Sequence, residues 1–202
     1  MLPTNKHMFK KLICSGDSFS SGYGLRDAQY SWPHLLGQKL QLPVINLARE
    51  GMGNEYIFHS IIEENLQDCL VILGLTAYSR IEFINAATKK IFTTIPNRRG
   101  TTQFDELFWK YYYSDDYYFN KFCKQWMMFD AYMSQRNAQY YMFDALPVAR
   151  TMPVIPHNYL WHGDENMCSI TYPHKLTDGH PTEIAHEIMA EKLSKIMLDK
   201  TG

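Results

Sequence analysis

Two kinds of hydrophobic pattern alternate along the chain. Unbroken or nearly unbroken apolar runs occupy Phe9 to Cys14, Val44 to Ala48 and Cys69 to Leu75, and Gln139 to Phe143 reads as a fourth such segment. Runs that continue rather than alternate are those of short strands buried on both faces. Between them lie stretches with helical spacing. Ser31-Trp32-Pro33 opens one, with Ser31 as candidate cap and Pro33 in the first turn. Its Trp32, Leu35, Leu36 and Leu40 fall near one face, and Pro43 follows its end. Asn54 is a candidate cap for a second helix, whose inner stripe would be Ile57, Ile61 and Ile62. In a third, Phe119, Phe122, Trp126, Phe129 and Met133 step by three and four. A last helix is predicted from Pro181 through Asp199, with Ala185, Ile188, Met189, Leu193, Ile196 and Met197 facing inward.

Strand, helix, strand, helix, strand at this spacing predicts a parallel sheet covered on both faces, with right-handed crossovers. Ligands of such sheets bind beyond the carboxyl ends of the strands. Ser18, Gly51 and Thr76 each come just after a predicted strand, so they are expected at one rim. The pattern weakens from Tyr78 to Gly100, where Ile81, Phe83 and Ile91 to Ile95 suggest an extended or hairpin excursion ending at Pro96-Asn97. The stretch from Phe104 to Phe143 is dense in aromatic residues, and its helical spacing favours a packed core stripe over an aromatic platform. Tyr111-Tyr112-Tyr113 and Tyr117-Tyr118 do not all fit that stripe and are candidates for a groove or a subunit contact. Pro147, Pro153 and Pro156 mark a long irregular segment that runs to Asp178, of the length usually tied to function or disorder.

Composition narrows the function classes. The 202 residues suit a single domain, and a formal net charge of −1 argues against nucleic-acid binding, which needs clustered Lys and Arg. Arg98-Arg99 reads as a solvated loop. Cys14, Cys69, Cys123 and Cys168 contain no Cys-x-x-Cys pair, which points away from zinc and redox motifs and toward a reducing compartment. His180 and His186 lack metal-ligand spacing, so no metal is expected. The first eleven residues lack a signal-peptide core and no run is long enough to cross a bilayer, so the expectation is a cytoplasmic or otherwise soluble protein, with export without a cleaved signal or a place in a larger particle left open.

The candidate chemistry sits at the two ends of the chain. After the first strand, Gly16-Asp17-Ser18 makes a small-residue turn that carries a serine. Near the other end, Asp178-Gly179-His180-Pro181 supplies the partners a serine nucleophile needs. A serine hydroxyl attacks well only when a base takes its proton, and histidine is the usual base. A carboxylate on the other ring nitrogen holds the tautomer. Ser18, His180 and Asp178 are the candidates for these roles, with His157, His162 and His174 as alternative imidazoles. His7, His34, His59 and His186 read as surface or helix residues. Oxyanion donors would be the backbone N–H groups of Ser18 and Gly51 and the hydroxyl of Thr76.

Gly16-Asp17-Ser18-Phe19-Ser20, Asn46-Leu47-Ala48 with Gly51, Gly74-Leu75-Thr76 and Asp178-Gly179-His180-Pro181 resemble, in order, the four blocks of the SGNH (GDSL-type) hydrolase family. The resemblance spans nearly the whole chain. It implies a flavodoxin-like α/β/α sandwich of one domain over residues 1–202, with an aromatic-rich helical insertion at roughly 78–137. It also implies ester hydrolysis through an acyl-serine without a cofactor. Carried over, Ser18 is nucleophile and first oxyanion donor, Gly51 the second donor and His180 the base. Thr76 stands where the family has an asparagine, a place that a neighbour such as Asn54 could fill. Asp178 stands two residues before the histidine rather than three. The run from Gly74 to Glu82 resembles a divergent branch found in phage and bacterial proteins. Within it, Arg80 is a candidate contact for an anionic or sugar substrate, or else pairs with Glu82 or another acid. The expected substrate is a small ester or an acetylated carbohydrate. The alternative is a binding or structural module on the same fold, for example in a phage particle.

Overall fold

In the computed structural model, which describes residues 9–96, 102–148, 150, 152–153 and 155–201, the apolar runs become strands. Arg98, Arg99 and His7, as well as the turn residue Asn97, lie outside the described residues. β1 (Lys11–Gly16) enters a four-residue helix, α1 (Ser18–Ser21). Then α2 (Trp32–Leu40) leads to β2 (Val44–Asn46), and α3 (Asn54–Ile62) leads to β3 (Cys69–Leu75). An antiparallel hairpin of β4 (Ile81–Ile84) and β5 (Ile91–Thr94) follows. Next come α4 (Gln103–Leu107), a π-helical turn (Phe108–Tyr112), the long α5 (Asp115–Gln135) and β6 (Gln139–Asp144). The short α6 (Met167–Ile170) and α7 (Glu183–Thr201) complete the order.

The main sheet is parallel throughout, in the order β2-β1-β3-β6. Alternate residues of each strand serve opposite faces, as the two-residue strand period requires. Ile13, Val71, Leu73 and Met142 pack under α3 and α5 with Ile57, Phe58, Phe119, Phe122 and Phe129. Leu12, Cys14, Ile72 and Phe143 pack under α2 and α7 with Trp32, Leu36, Met189 and Leu193. The result is the three-layer α/β/α sandwich. Truncating any of the fully buried Leu or Ile side chains here costs about 2–5 kcal/mol, because the residual cavity adds to the lost transfer energy.

Phe119, Phe122, Phe129 and Met133 are buried, so the aromatic stripe is core, and α5 makes the crossover from β3 to β6. The residues that stand outside the three layers are those of β4, β5, α4 and the π turn. They have their own small core of Ile81, Phe108 and Trp109, and the Trp109 indole N–H donates to Thr94 Oγ1 at 2.8 Å. Of the clustered tyrosines, Tyr113 and Tyr118 stack in that core, while Tyr111, Tyr112 and Tyr117 are exposed.

Several boundaries differ from the sequence reading for identifiable reasons. β2 ends at Asn46 because the Asn46 amide turns the chain: its Nδ2 donates to Ser20 O and its Oδ1 accepts from Ala48 N. Phe58, not Ile62, completes the inner stripe of α3. Asn54 is the first residue of α3 rather than its cap, which is Gly53. Glu82, from the hairpin, does the capping by accepting from Gly53 N and Tyr56 N. Ser31 does precede α2, but its hydroxyl donates back to Ala28 O. His186 sits in α7 fully buried, with Nδ1 accepting from Trp32 N at 3.0 Å. Burial lowers its pKa to about 4, so it stays neutral.

The irregular segment between β6 and α7 is laid down on the sheet edge. Met142 N donates to Asn158 O and Leu160 N to Met142 O, extending the ladder by one bridge, and Trp161 enters the core. Its far end delivers residues 178–180 to the carboxyl edge of the sheet.

Candidate active site

β1 ends at Gly16, and the chain turns sharply into α1. Asp17 caps this helix, its Oδ1 accepting from Phe19 N at 3.0 Å. The turn fits only because Gly16 and Gly74 are partners in the β1–β3 ladder and neither has a side chain. A Cβ on either one would overlap Ser20 Oγ. Ser20 Oγ fills the slot between them and accepts from the Trp32 indole N–H at 3.3 Å. Ser18 is thereby held at the carboxyl end of the sheet, 6% exposed, at the floor of an open cavity of about 580 Å³.

His180 reaches the same floor from the other end of the chain. Its Nε2 lies 3.0 Å from Ser18 Oγ, across 162 residues of sequence. Asp178 grips the histidine twice. Its Oδ1 accepts from the backbone N–H of His180 at 3.1 Å, and its Oδ2 lies 3.1 Å from Nδ1. Nδ1 makes no hydrogen bond of good geometry, so this second contact is electrostatic. The backbone hydrogen bond from His180 is the main reason the Asp178 carboxyl titrates below its usual range. The Asp178 side chain is half exposed. Tyr23 and Phe19 flank the imidazole with ring centroids 4.6 and 5.4 Å away.

Gly51 lines the same cavity, at φ 74°, where a residue without a side chain is favoured. Arg80 also lines it, and its guanidinium is engaged by the buried carboxylate of Asp17. Arg80 therefore pairs with an acid 63 residues away, and Glu82 serves α3 instead. Burial raises the Glu82 carboxyl above its usual range, and the two backbone N–H groups oppose that rise.

Thr76 and Asn54 are in a different position. Both are buried, and neither lines the cavity. Asn54 is occupied with the Thr76 backbone, its Oδ1 accepting from Thr76 N at 3.0 Å and its Nδ2 donating to Thr76 O at 2.8 Å. The Thr76 hydroxyl is enclosed without a hydrogen-bond partner. Ser18, His180, Asp178, Gly51 and Arg80 thus come together, while Thr76 and Asn54 stand behind them.

Besides Phe19, five cavity residues escaped the sequence reading. Tyr23, Glu50, Leu146, Thr93 and Ile95 line it, Thr93 from β5 and Ile95 just after its end. No periodicity marks them, since they are single residues on loops and on a hairpin outside the main sheet. Among the described residues there is no cluster of His, Cys, Asp and Glu that could hold a metal ion, and no helix is long and apolar enough to cross a membrane.

No protein-family model and no curated protein sequence matches the chain. Solved structures do. A protein from Desulfitobacterium hafniense, described as lipolytic and of the G-D-S-L family, superposes with a TM-score of 0.57 at 13% identity, over 93% of this chain and 99% of its own. An acetyl xylan esterase, Est2A, from Butyrivibrio proteoclasticus gives 0.56 at 17% identity, over 96% of this chain and 64% of its own. The psychrotrophic esterase EstA from a Pseudoalteromonas species gives 0.55 at 14%, over 95% and 98%. The fold is that of the SGNH-type hydrolases.

Proposed function

We propose that the protein is a serine hydrolase that cleaves a small carboxylic ester or O-acetyl group through an acyl-serine. The observation that carries this reading is the 3.0 Å approach of His180 Nε2 to Ser18 Oγ at the floor of an open cavity. At that distance Nε2 accepts the hydroxyl proton as Oγ attacks the carbonyl carbon. The tetrahedral intermediate collapses when the imidazolium returns the proton to the departing alcohol. Water then attacks the acyl-serine with the same base, releasing the acid and restoring Ser18. Asp178, 3.1 Å from Nδ1, favours the tautomer that leaves Nε2 free and stabilises the imidazolium.

The oxyanion would be held by backbone alone. Ser18 N–H lies in the first turn of α1, where a helix has no internal acceptor for it, and Gly51 N–H belongs to a second segment that lines the cavity. The enclosed Thr76 hydroxyl takes no part. Polar groups at the mouth, Glu50 and Tyr23 among them, suit a hydroxyl-rich alcohol, which supports an acetylated carbohydrate as substrate. That agrees with the acetyl xylan esterase among the structural neighbours.

The position of Thr76 favours a second reading, a binding module with little turnover, since the proposed oxyanion site would have only two donors. Hydrolysis of 4-nitrophenyl acetate, and labelling by a serine-directed fluorophosphonate, separate the two. The hydrolase reading expects both in the wild type and loss of at least about 10³-fold in turnover, with no labelling, in Ser18→Ala. A folded wild-type protein with neither turnover nor labelling would overturn it.

A further inference from the structure

The Asp17–Arg80 ion pair at the cavity joins the two loops on which the proposed oxyanion site depends. The Asp17 carboxylate is fully buried, and the Arg80 side chain is 13% exposed. Arg80 Nη1 donates to Asp17 Oδ2 at 2.9 Å and to the carbonyl oxygen of Met52 at 3.3 Å. Asp17 immediately precedes Ser18, and Met52 immediately follows Gly51. One nitrogen therefore touches both segments whose N–H groups must converge. Two residues on, Glu82 accepts from Gly53 N and Tyr56 N, fixing the far side of the Gly51 loop to β4, which Arg80 immediately precedes.

We infer that Arg80 is a positioning residue for the oxyanion site: its guanidinium fastens the Ser18 turn to the Gly51 loop and neutralises the carboxylate beside the nucleophile. This deepens the hydrolase reading and rests on it. Without Arg80 the two donors lose the side-chain anchor they share, and the hydrogen bond from Arg49 N to Gly16 O at 3.0 Å is left to join their segments. Asp17 also becomes a buried, unpaired charge next to the place where negative charge develops in the transition state, and a charge left so is strongly unfavourable. Both effects act on the transition state more than on bound substrate, so they should appear in kcat rather than KM. A guanidinium that instead bound the substrate would show itself in KM.

The test compares wild type, Arg80→Gln, Arg80→Lys and the double variant Asp17→Asn/Arg80→Gln on 4-nitrophenyl acetate, a neutral ester, with folding checked by circular dichroism. Arg80→Gln should lower kcat by about 10²-fold, the size of effect that slight misplacement produces, and leave KM within about threefold. The double variant removes the unpaired charge and should recover about tenfold of that loss, while Arg80→Lys should fall between wild type and Arg80→Gln. A wild-type kcat in Arg80→Gln, a raised KM at unchanged kcat, or a double variant no better than the single would overturn the inference while leaving the hydrolase reading intact. Should Arg80→Gln fail to fold, Arg80→Lys at wild-type kcat would overturn it. An inactive, unlabelled wild type would remove both.

Discussion

The ends of β1 and β3 lie side by side in the sheet and each is followed by a small hydroxyl residue, yet they have opposite fates. At the end of β1 the chain breaks direction. The strand stops at Gly16, α1 begins, and Ser18 is turned toward the cavity and toward His180. At the end of β3 the backbone of Thr76 is clamped on both sides by the Asn54 amide, and its hydroxyl is sealed in. The carboxyl edge of a parallel sheet supplies candidate positions, then, but the local turn decides which of them faces the cavity. β6 gives a third outcome. Its last residue, Asp144, is buried and spends its carboxylate on Tyr159 and on Gly163 N, holding down the irregular segment.

The largest effect should come from the open end. His180→Ala is expected to lower kcat/KM by about 10⁴-fold or more on 4-nitrophenyl acetate, since nucleophile and base act as a unit. Activity within about tenfold of wild type would mean that another imidazole, such as His162 or His174, serves Ser18.

An intermediate effect belongs to β6. Burial pushes the Asp144 carboxyl up to about 6, against about 3.9 for an aspartate in the unfolded chain. The folded state thus holds this proton more tightly, and the stability it contributes is present below about pH 4 and lost as pH rises through about 6. Between those limits wild type should lose on the order of 2–3 kcal/mol relative to Asp144→Asn in urea unfolding. Parallel curves for the two proteins would show that Asp144 is not the sealed acid described here.

The smallest effect tests the sealed end directly. Thr76→Val keeps the shape and deletes a hydroxyl that has no partner, so kcat/KM should stay within about twofold and stability should hold or rise slightly. A loss approaching 10²-fold in kcat would make Thr76 an oxyanion donor and erase the contrast with β1.

Much of this architecture was legible in the chain. The continuous apolar run Cys69 to Leu75 coincides with β3, and the three-and-four spacing of Phe119, Phe122, Phe129 and Met133 marks the buried face of α5. Ser18 and His180, which the structure brings within 3.0 Å, were legible as candidates because strand ends and family-like blocks are local features. What escaped is long-range. Asn54 has the residue type of a helix cap, and only the tertiary structure turns it toward Thr76. Likewise Arg80 pairs with Asp17 rather than its sequence neighbour Glu82, because the hairpin folds its first residues under the Ser18 turn. Side-chain pairing across such distances leaves no periodic trace.

The Ser20 slot has a consequence for how this sequence could have changed over time. Gly16, Gly74 and Ser20 occupy one volume, so their allowed states are not independent. Replacing Ser20 by alanine frees space at Gly74, but its Cβ still blocks a side chain at Gly16. The three positions form an epistatic set with a preferred order of substitution. A lineage drifting through it must shrink residue 20 to glycine before residue 16 can gain even a methyl group. The Ser18 turn is thereby constrained by residues that do not line the cavity, and divergence is channelled into the cavity mouth instead.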